Sequence, residues 1–170
     1  ADIALKLMAN GGITQPYIFN TDADVSLPAD YFSSVKAINH PDNVAAYIYP
    51  FLHQPQQQSE DACYLYEISL FYYVAGLKHA NSPYAFSTVG STLAINGHHY
   101  AQVRGFPKRT AGEDFYLLNK LAKTGSIQEL RHPNLTLSGR LSNRVTFGTG
   151  IGIQKILDTN RCEFYNPSIF

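Results

Sequence analysis

The sequence predicts a mixed α/β fold. Short apolar runs suited to strands alternate with stretches of helical periodicity, Gly, Pro and Asn clusters punctuate the junctions, and no internal repeat or inter-domain linker interrupts the alternation. With 170 residues and 45% hydrophobic content, the length prior is one domain with a sizeable core.

The elements follow in order. Residues 2–9 read as a helix carrying Ile3, Leu5, Leu7 and Met8, stopped by Asn10-Gly11-Gly12, where glycine accepts the left-handed conformation that ends helices. A strand is expected at 17–20. After Asp22-Ala23-Asp24, Pro28 suits the first turn of a helix with Tyr31, Phe32, Val35 and Ile38 at helical spacing, closed by His40-Pro41. Residues 44–49 form the next strand. The stretch 50–59, with Pro55 and the run Gln56-Gln57-Gln58, reads as a polar loop, and Ser59-Glu60-Asp61 opens a long helix to about Leu77.

Beyond the break at Asn81-Ser82-Pro83, residues 86–95 are expected to be extended, interrupted at Gly90-Ser91. Asn96-Gly97 caps a short helix ending near Gly105. Gly112 precedes a helix over 113–123 that turns Phe115, Leu117, Leu118 and Leu121 to the core and ends at Gly125. Strands at 127–130 and 135–137 and a short helix near 153–157 complete the pattern.

Charge excludes some classes of partner. Thirteen basic residues balance thirteen acidic ones, and no basic cluster is present to attract a polyanion, so nucleic acid is not an expected partner. The longest apolar run, residues 68–77, is far short of the roughly 20 residues that span a bilayer, so no membrane segment is expected in this chain. Cys63 and Cys162 allow at most one bridge, which points to a reducing, cytoplasmic setting; membrane association through parts of the protein outside this chain stays open. The start, from Ala1 to Leu7, reads directly as helix with neither an initiator Met nor a signal peptide, as expected of an internal piece of a longer protein.

Two acidic clusters carry the chemistry. Asp22 and Asp24 emerge where the apolar run Tyr17-Ile18-Phe19 ends, and alternate carboxylates in such a turn can present oxygen ligands to Mg²⁺ or Mn²⁺. Turn propensity alone would also place Asp there. Glu113 and Asp114 sit in the first turn of a helix, where acidic side chains suit the dipole; one of them facing a cleft could instead accept a hydroxyl proton. Asp114 is the choice for that base, with Glu113 capping or orienting. His132 is a further candidate metal ligand, and Arg140 or Arg144 could clamp a diphosphate through paired guanidinium donors.

With their surroundings, these clusters resemble the inverting family 2 glycosyltransferases with the GT-A fold. Four stretches carry the resemblance: Tyr17-Ile18-Phe19-Asn20-Thr21-Asp22-Ala23-Asp24 with Leu27-Pro28, Val89-Gly90-Ser91-Thr92-Leu93-Ala94-Ile95, Val103-Arg104-Gly105-Phe106-Pro107, and Ala111-Gly112-Glu113-Asp114-Phe115-Tyr116-Leu117-Leu118. The resemblance implies that Asp22 and Asp24 form the D-x-D element contacting the donor's ribose and metal-bound diphosphate. It makes Asp114 the catalytic base, puts Gly90 and Ser91 along the sugar and acceptor region, and puts Gly105 and Phe106 at the acceptor side. The implied reaction is metal-assisted transfer of a sugar, with inversion, from a nucleotide-sugar donor to a hydroxyl acceptor on a glycan, lipid or small molecule.

The resemblance covers nearly all of 1–170 but only the later part of the family's fold. The resemblance implies that the family's upstream nucleotide-binding half lies outside this chain, which is then expected to be a single partial GT-A catalytic domain whose isolated activity is weak or nil. The chain has no Trp, so the Gln-x-x-Arg-Trp element of processive members is absent and polymer extrusion is not expected. Two other readings compete: a non-catalytic GT-A-like module that binds glycan or protein, and a nucleotidyltransferase. The second suffers from the lack of a glycine-rich, basic phosphate loop.

Overall fold

The computed structural model describes residues 1–38, 43–109, 111–142 and 148–170. The chain is α/β and divides into two compact units, each assembled from two stretches of sequence. The first comprises Ala1–Pro50 and Thr88–Leu135, the second Phe51–Ser87 and Thr136–Phe170. The chain leaves the first unit after Pro50 and re-enters it at Thr88, so no sequence linker marks the division.

The first unit is built on a four-stranded sheet of β1 (Tyr17–Asn20), β4 (Leu93–Asn96), β2 (Val44–Ile48) and β5 (Ser126–Glu129), in the spatial order β1-β4-β2-β5. β4 runs antiparallel to both β1 and β2, and β5 runs parallel to β2, so β1, β2 and β5 share one direction. The sequence shows why β2 and β4 lie inside. Every residue of β2 (VAAYI) is buried, as are Leu93, Ala94 and Ile95 of β4, which suits continuous apolar runs covered on both faces. β1 and β5, at the edges, expose more of their residues.

The helices of this unit are α1 (Asp2–Ala9), α2 (Tyr31–Lys36), α4 (Gly97–Gln102) and α5 (Glu113–Leu121). α5 packs against β2 and β5 through buried Leu117, Leu118 and Leu121. Phe115, expected in that face, is 42% exposed, its ring set edge-on to Tyr116 at 5.2 Å. Phe32 on α2 is likewise exposed, while Tyr31 beside it is buried against Tyr49, whose hydroxyl donates to the Tyr31 carbonyl. Closure of α2 by His40-Pro41 lies outside the described residues. α4 begins as expected, with the Asn96 side chain accepting from the His98 amide. The stretch before β4 differs from the expected extended segment: residues Gly90–Thr92 form a 3-10 turn, held by the Thr92 hydroxyl donating to the Val89 carbonyl at 2.8 Å.

Gly125 sets the seam between α5 and β5. A β-carbon there would drive into the Asn43 carbonyl oxygen and lie 2.8 Å from the His99 ring, just where the Ser126 amide donates to the same carbonyl at 2.8 Å. Gly125→Ala is therefore expected to destabilise the protein by about 2–3 kcal/mol through displaced strand backbone, read as a lowered urea midpoint with unchanged slope.

The second unit contains α3 (Glu60–His79), α6 (Thr149–Thr159) and a two-stranded sheet of β3 (Phe51–Pro55) with β6 (Leu135–Gly139). The two helices pack around Ala62, Cys63, Ile153 and Ile156. β3 corrects the sequence expectation of a loop over 50–59. It alternates with Phe51 and His53 buried and Leu52 and Gln54 exposed, so an apolar residue points out and a histidine points in. α6 is longer than the expected 153–157. No helix among the described residues is long and apolar enough to cross a membrane.

Candidate functional site

The sheet register places the segments that carry Asp22, Asp24, Gly90, Ser91 and His132 at one end of the strands, whereas Gly105 and Phe106 follow α4, which leaves the opposite end of β4 at Asn96. Asn20, the last residue of β1, pairs with Leu93, the first of β4; Leu93 also pairs with Ile48, the last of β2; and Ile48 pairs with Glu129, the last of β5. The carboxyl ends of the three like-directed strands therefore lie at the same end of the sheet, the position at which open α/β sheets bind ligands. Three segments leave this edge: the Asp22-Ala23-Asp24 turn, the Gly90–Thr92 turn that feeds β4, and the loop after β5 that carries His132.

Hydrogen bonds link Asn20, two residues before Asp22, to Asp114 through Gly90. The Asn20 side-chain amide donates to the Gly90 carbonyl at 2.8 Å, and the Gly90 amide donates to Asp114 Oδ2 at 2.9 Å. Asp114 Oδ1 accepts from the Phe115 amide at 2.8 Å, so both carboxylate oxygens are held by backbone donors at the start of α5. Gly112, with φ of 71°, makes the left-handed step that lets α5 begin there, a conformation that favours glycine. Gly90 lacks a side chain for a different reason. A β-carbon would sit 2.7 Å from Asp114 Oδ2 and 2.9 Å from its Cβ, so the absence of one is what lets the turn close on the carboxylate.

Glu113 and Asp114 differ in environment. Glu113 is exposed, whereas Asp114 is half-buried, and burial, reinforced by the nearby Glu113 charge, raises its carboxyl above the ordinary aspartate value although both backbone donors pull it down. A carboxylate oriented at two points and raised by desolvation has the character of a general base. Asp22, Ala23 and Asp24 are exposed in a turn closed by the Val25 amide donating to the Asp22 carbonyl at 3.3 Å.

The acceptor-side candidates are fixed by another set of contacts. Gly105 has φ of 69°, and a β-carbon there would lie 2.7 Å from the Tyr100 hydroxyl. That hydroxyl accepts from the Phe106 amide at 3.3 Å, and Lys120 donates to the Gly105 carbonyl at 3.2 Å, tying the Gly105-Phe106 turn to the last turn of α5. Ser91 is buried in the turn beside Gly90. Arg109, which sequence reasoning did not single out, places its guanidinium 3.7 Å over the Tyr116 ring. Asn20 is equally unmarked: it stands two residues before Asp22, and nothing in its type announces a tether to Gly90.

His132 is exposed and precedes Pro133 through a cis peptide bond. No group of three or more His, Cys, Asp or Glu side chains among the described residues is gathered to hold an ion, so Asp22, Asp24 and His132 do not form a three-ligand set. The donor set that remains is the pair of exposed aspartates, hard oxygen ligands suited to Mg²⁺ or Mn²⁺ when phosphate oxygens and water complete the coordination. Arg140 belongs to the second unit, where it is exposed, and Arg144 lies outside the described residues. His98 and His99 do not act together: their rings stand at 83°, with His98 exposed and His99 buried against the Thr124 hydroxyl at 3.0 Å.

The first unit thus defines an α/β protein with a mixed sheet and a carboxylate-bearing edge. No protein-family model, curated protein or solved structure matches the chain.

Proposed function

We propose that the protein is the later part of a GT-A glycosyltransferase domain that moves a sugar, with inversion, from a nucleotide-sugar donor to a hydroxyl acceptor. The observation that carries this reading is the hydrogen-bonded link from Asn20 through Gly90 to Asp114, which holds the proposed base at the strand edge from which the D-x-D turn emerges. The mixed sheet, with antiparallel β4 between like-directed β1 and β2, is compatible with it.

In this mechanism Asp114, held as an ionised acceptor by the Gly90 and Phe115 amides, takes the proton of the acceptor hydroxyl as that oxygen attacks the anomeric carbon. The donor's bond to diphosphate breaks on the opposite face, which inverts the centre without a covalent enzyme intermediate. Asp22 and Asp24 would hold Mg²⁺ or Mn²⁺ against the diphosphate, where a cation neutralises the charge of the leaving group. Ser91, Gly105 and Phe106 border the acceptor. The resemblance implies an upstream nucleotide-binding half that would complete the donor site, so donor turnover is assigned to the protein carrying that half.

The test is a thermal shift of that protein with Mn²⁺ and a panel of nucleoside diphosphates. A ligand at ten times its Kd is expected to raise the melting temperature by about 3–5 °C, and Asp22→Asn and Asp24→Asn should each abolish the metal-dependent part. An equal shift in both variants would remove these residues from donor binding.

A further inference from the structure

The second unit contains a buried side-chain relay that the proposed sugar transfer does not use. His53, turned inward by β3, and Glu67, on α3, are 5% and 9% exposed. Glu67 Oε2 accepts from the His53 backbone amide at 2.6 Å and lies 2.9 Å from the ring Nδ1. A carboxylate only accepts, so Nδ1 carries a proton, and Nε2 is the nitrogen available to act as a base when the ring carries no second one. That nitrogen lies 3.2 Å from Thr149 Oγ1. Tyr66 borders the cluster, its ring edge-on to His53 at 5.8 Å.

The two ends of the relay differ. The His53 and Glu67 side chains are 1% and 11% exposed, whereas Thr149 keeps a partly open surface. Thr149 is also the first residue of α6, an eleven-residue helix entered through Gly148 with φ of 110°. The amides of a helix's first turn point toward its start, where they favour developing negative charge. Gly152 lets α6 come this close, because a β-carbon there would collide with the Tyr66 ring.

We propose that Thr149, His53 and Glu67 form a nucleophile, base and orienting acid for acyl transfer from an ester substrate to water. Thr149 Oγ1 bonds to the ester carbonyl carbon as His53 Nε2 takes its proton. The bond to the alcohol oxygen then breaks, and the alcohol leaves with the proton returned by Nε2. Water, deprotonated by the same nitrogen, attacks the acyl-threonine, releasing the carboxylic acid and restoring the Thr149 hydroxyl. Glu67 holds the ring's tautomer and stabilises the imidazolium, and the α6 amides face the carbonyl oxygen as it becomes an oxyanion. A 3.2 Å contact between hydroxyl and base is within the range of such pairs.

The test is covalent labelling with a fluorophosphonate, located by intact mass and peptide mapping, alongside hydrolysis of p-nitrophenyl acetate. The expected result is one adduct, on Thr149, with ester hydrolysis. Thr149→Val, nearly isosteric, should abolish both, and Thr149→Ser should retain both. His53→Gln should slow both by about 10²-fold or more. Unchanged melting of Thr149→Val would separate lost chemistry from lost folding, and the Ser variant keeps the test decisive if the Val variant unfolds. No adduct at Thr149 in the native protein, or labelling of His53→Gln at the native rate, would overturn the assignment.

Discussion

Asp114→Asn is expected to lower sugar transfer by about 10²- to 10⁴-fold while leaving nucleoside diphosphate binding intact, because the amide cannot take a proton from the acceptor hydroxyl. That loss corresponds to about 3–5 kcal/mol on the activation barrier. Native nucleotide affinity in the variant would show that its fold survives. The pH profile gives a second reading of the same group. Transfer requires the ionised base, and burial raises Asp114 above the ordinary 3.8, so the acid limb of kcat/KM should lie above 3.8 and vanish from the residual activity of the variant. The linkage has the matching sign: the folded state holds this proton more tightly than the unfolded state, so Asp114 lowers stability as pH rises from 3.8 through its raised value. Native transfer by Asp114→Asn would remove the base assignment.

Gly90→Ala is the second large expected effect. Gly90 has no positive φ, so the backbone itself admits alanine, and the cost is steric: the new methyl would stand 2.7 Å from Asp114 Oδ2. Asp114 must swing away and surrender the 2.9 Å bond from the Gly90 amide. A base misplaced by about 1 Å loses about 10²-fold in kcat, and the displaced packing is expected to cost about 1–3 kcal/mol of stability. Steady-state kinetics with a urea midpoint separates the two. A variant that is less stable but has native kcat would show that Asp114 need not be held by this turn.

Much of the fold was legible because it obeys simple periodicity. The buried runs of β2 and β4, the leucines of α5 and the Asn96 cap appear where the sequence predicts them. β3 was not legible, because its alternation inverts hydrophobicity: Leu52 faces out, and His53 faces in only because Glu67, far along the chain, satisfies it. Helical spacing predicts Phe115 on the core face of α5, but its ring lies edge-on to Tyr116 at the surface. At the proposed site, residue type and position point to Asp22, Asp24 and Asp114. The tether was hidden: Asn20 and Gly90 act through a side-chain amide and a bare backbone, which leave no mark in composition or spacing. The Glu67, His53 and Thr149 relay was equally hidden, since its members come from three elements that only the folded chain brings together.

The central claim is that the two acidic clusters serve one reaction centre, and Mn²⁺ tests it most directly as a paramagnetic probe in an amide-resolved NMR titration with nucleoside diphosphate. Binding at Asp22 and Asp24 should broaden the amides of that turn together with those of Gly90 and Phe115, which flank Asp114, and Asp24→Asn should remove the broadening from all of them. Broadening confined to the Asp22-Asp24 turn, with Gly90 and Phe115 unaffected, would contradict a shared centre.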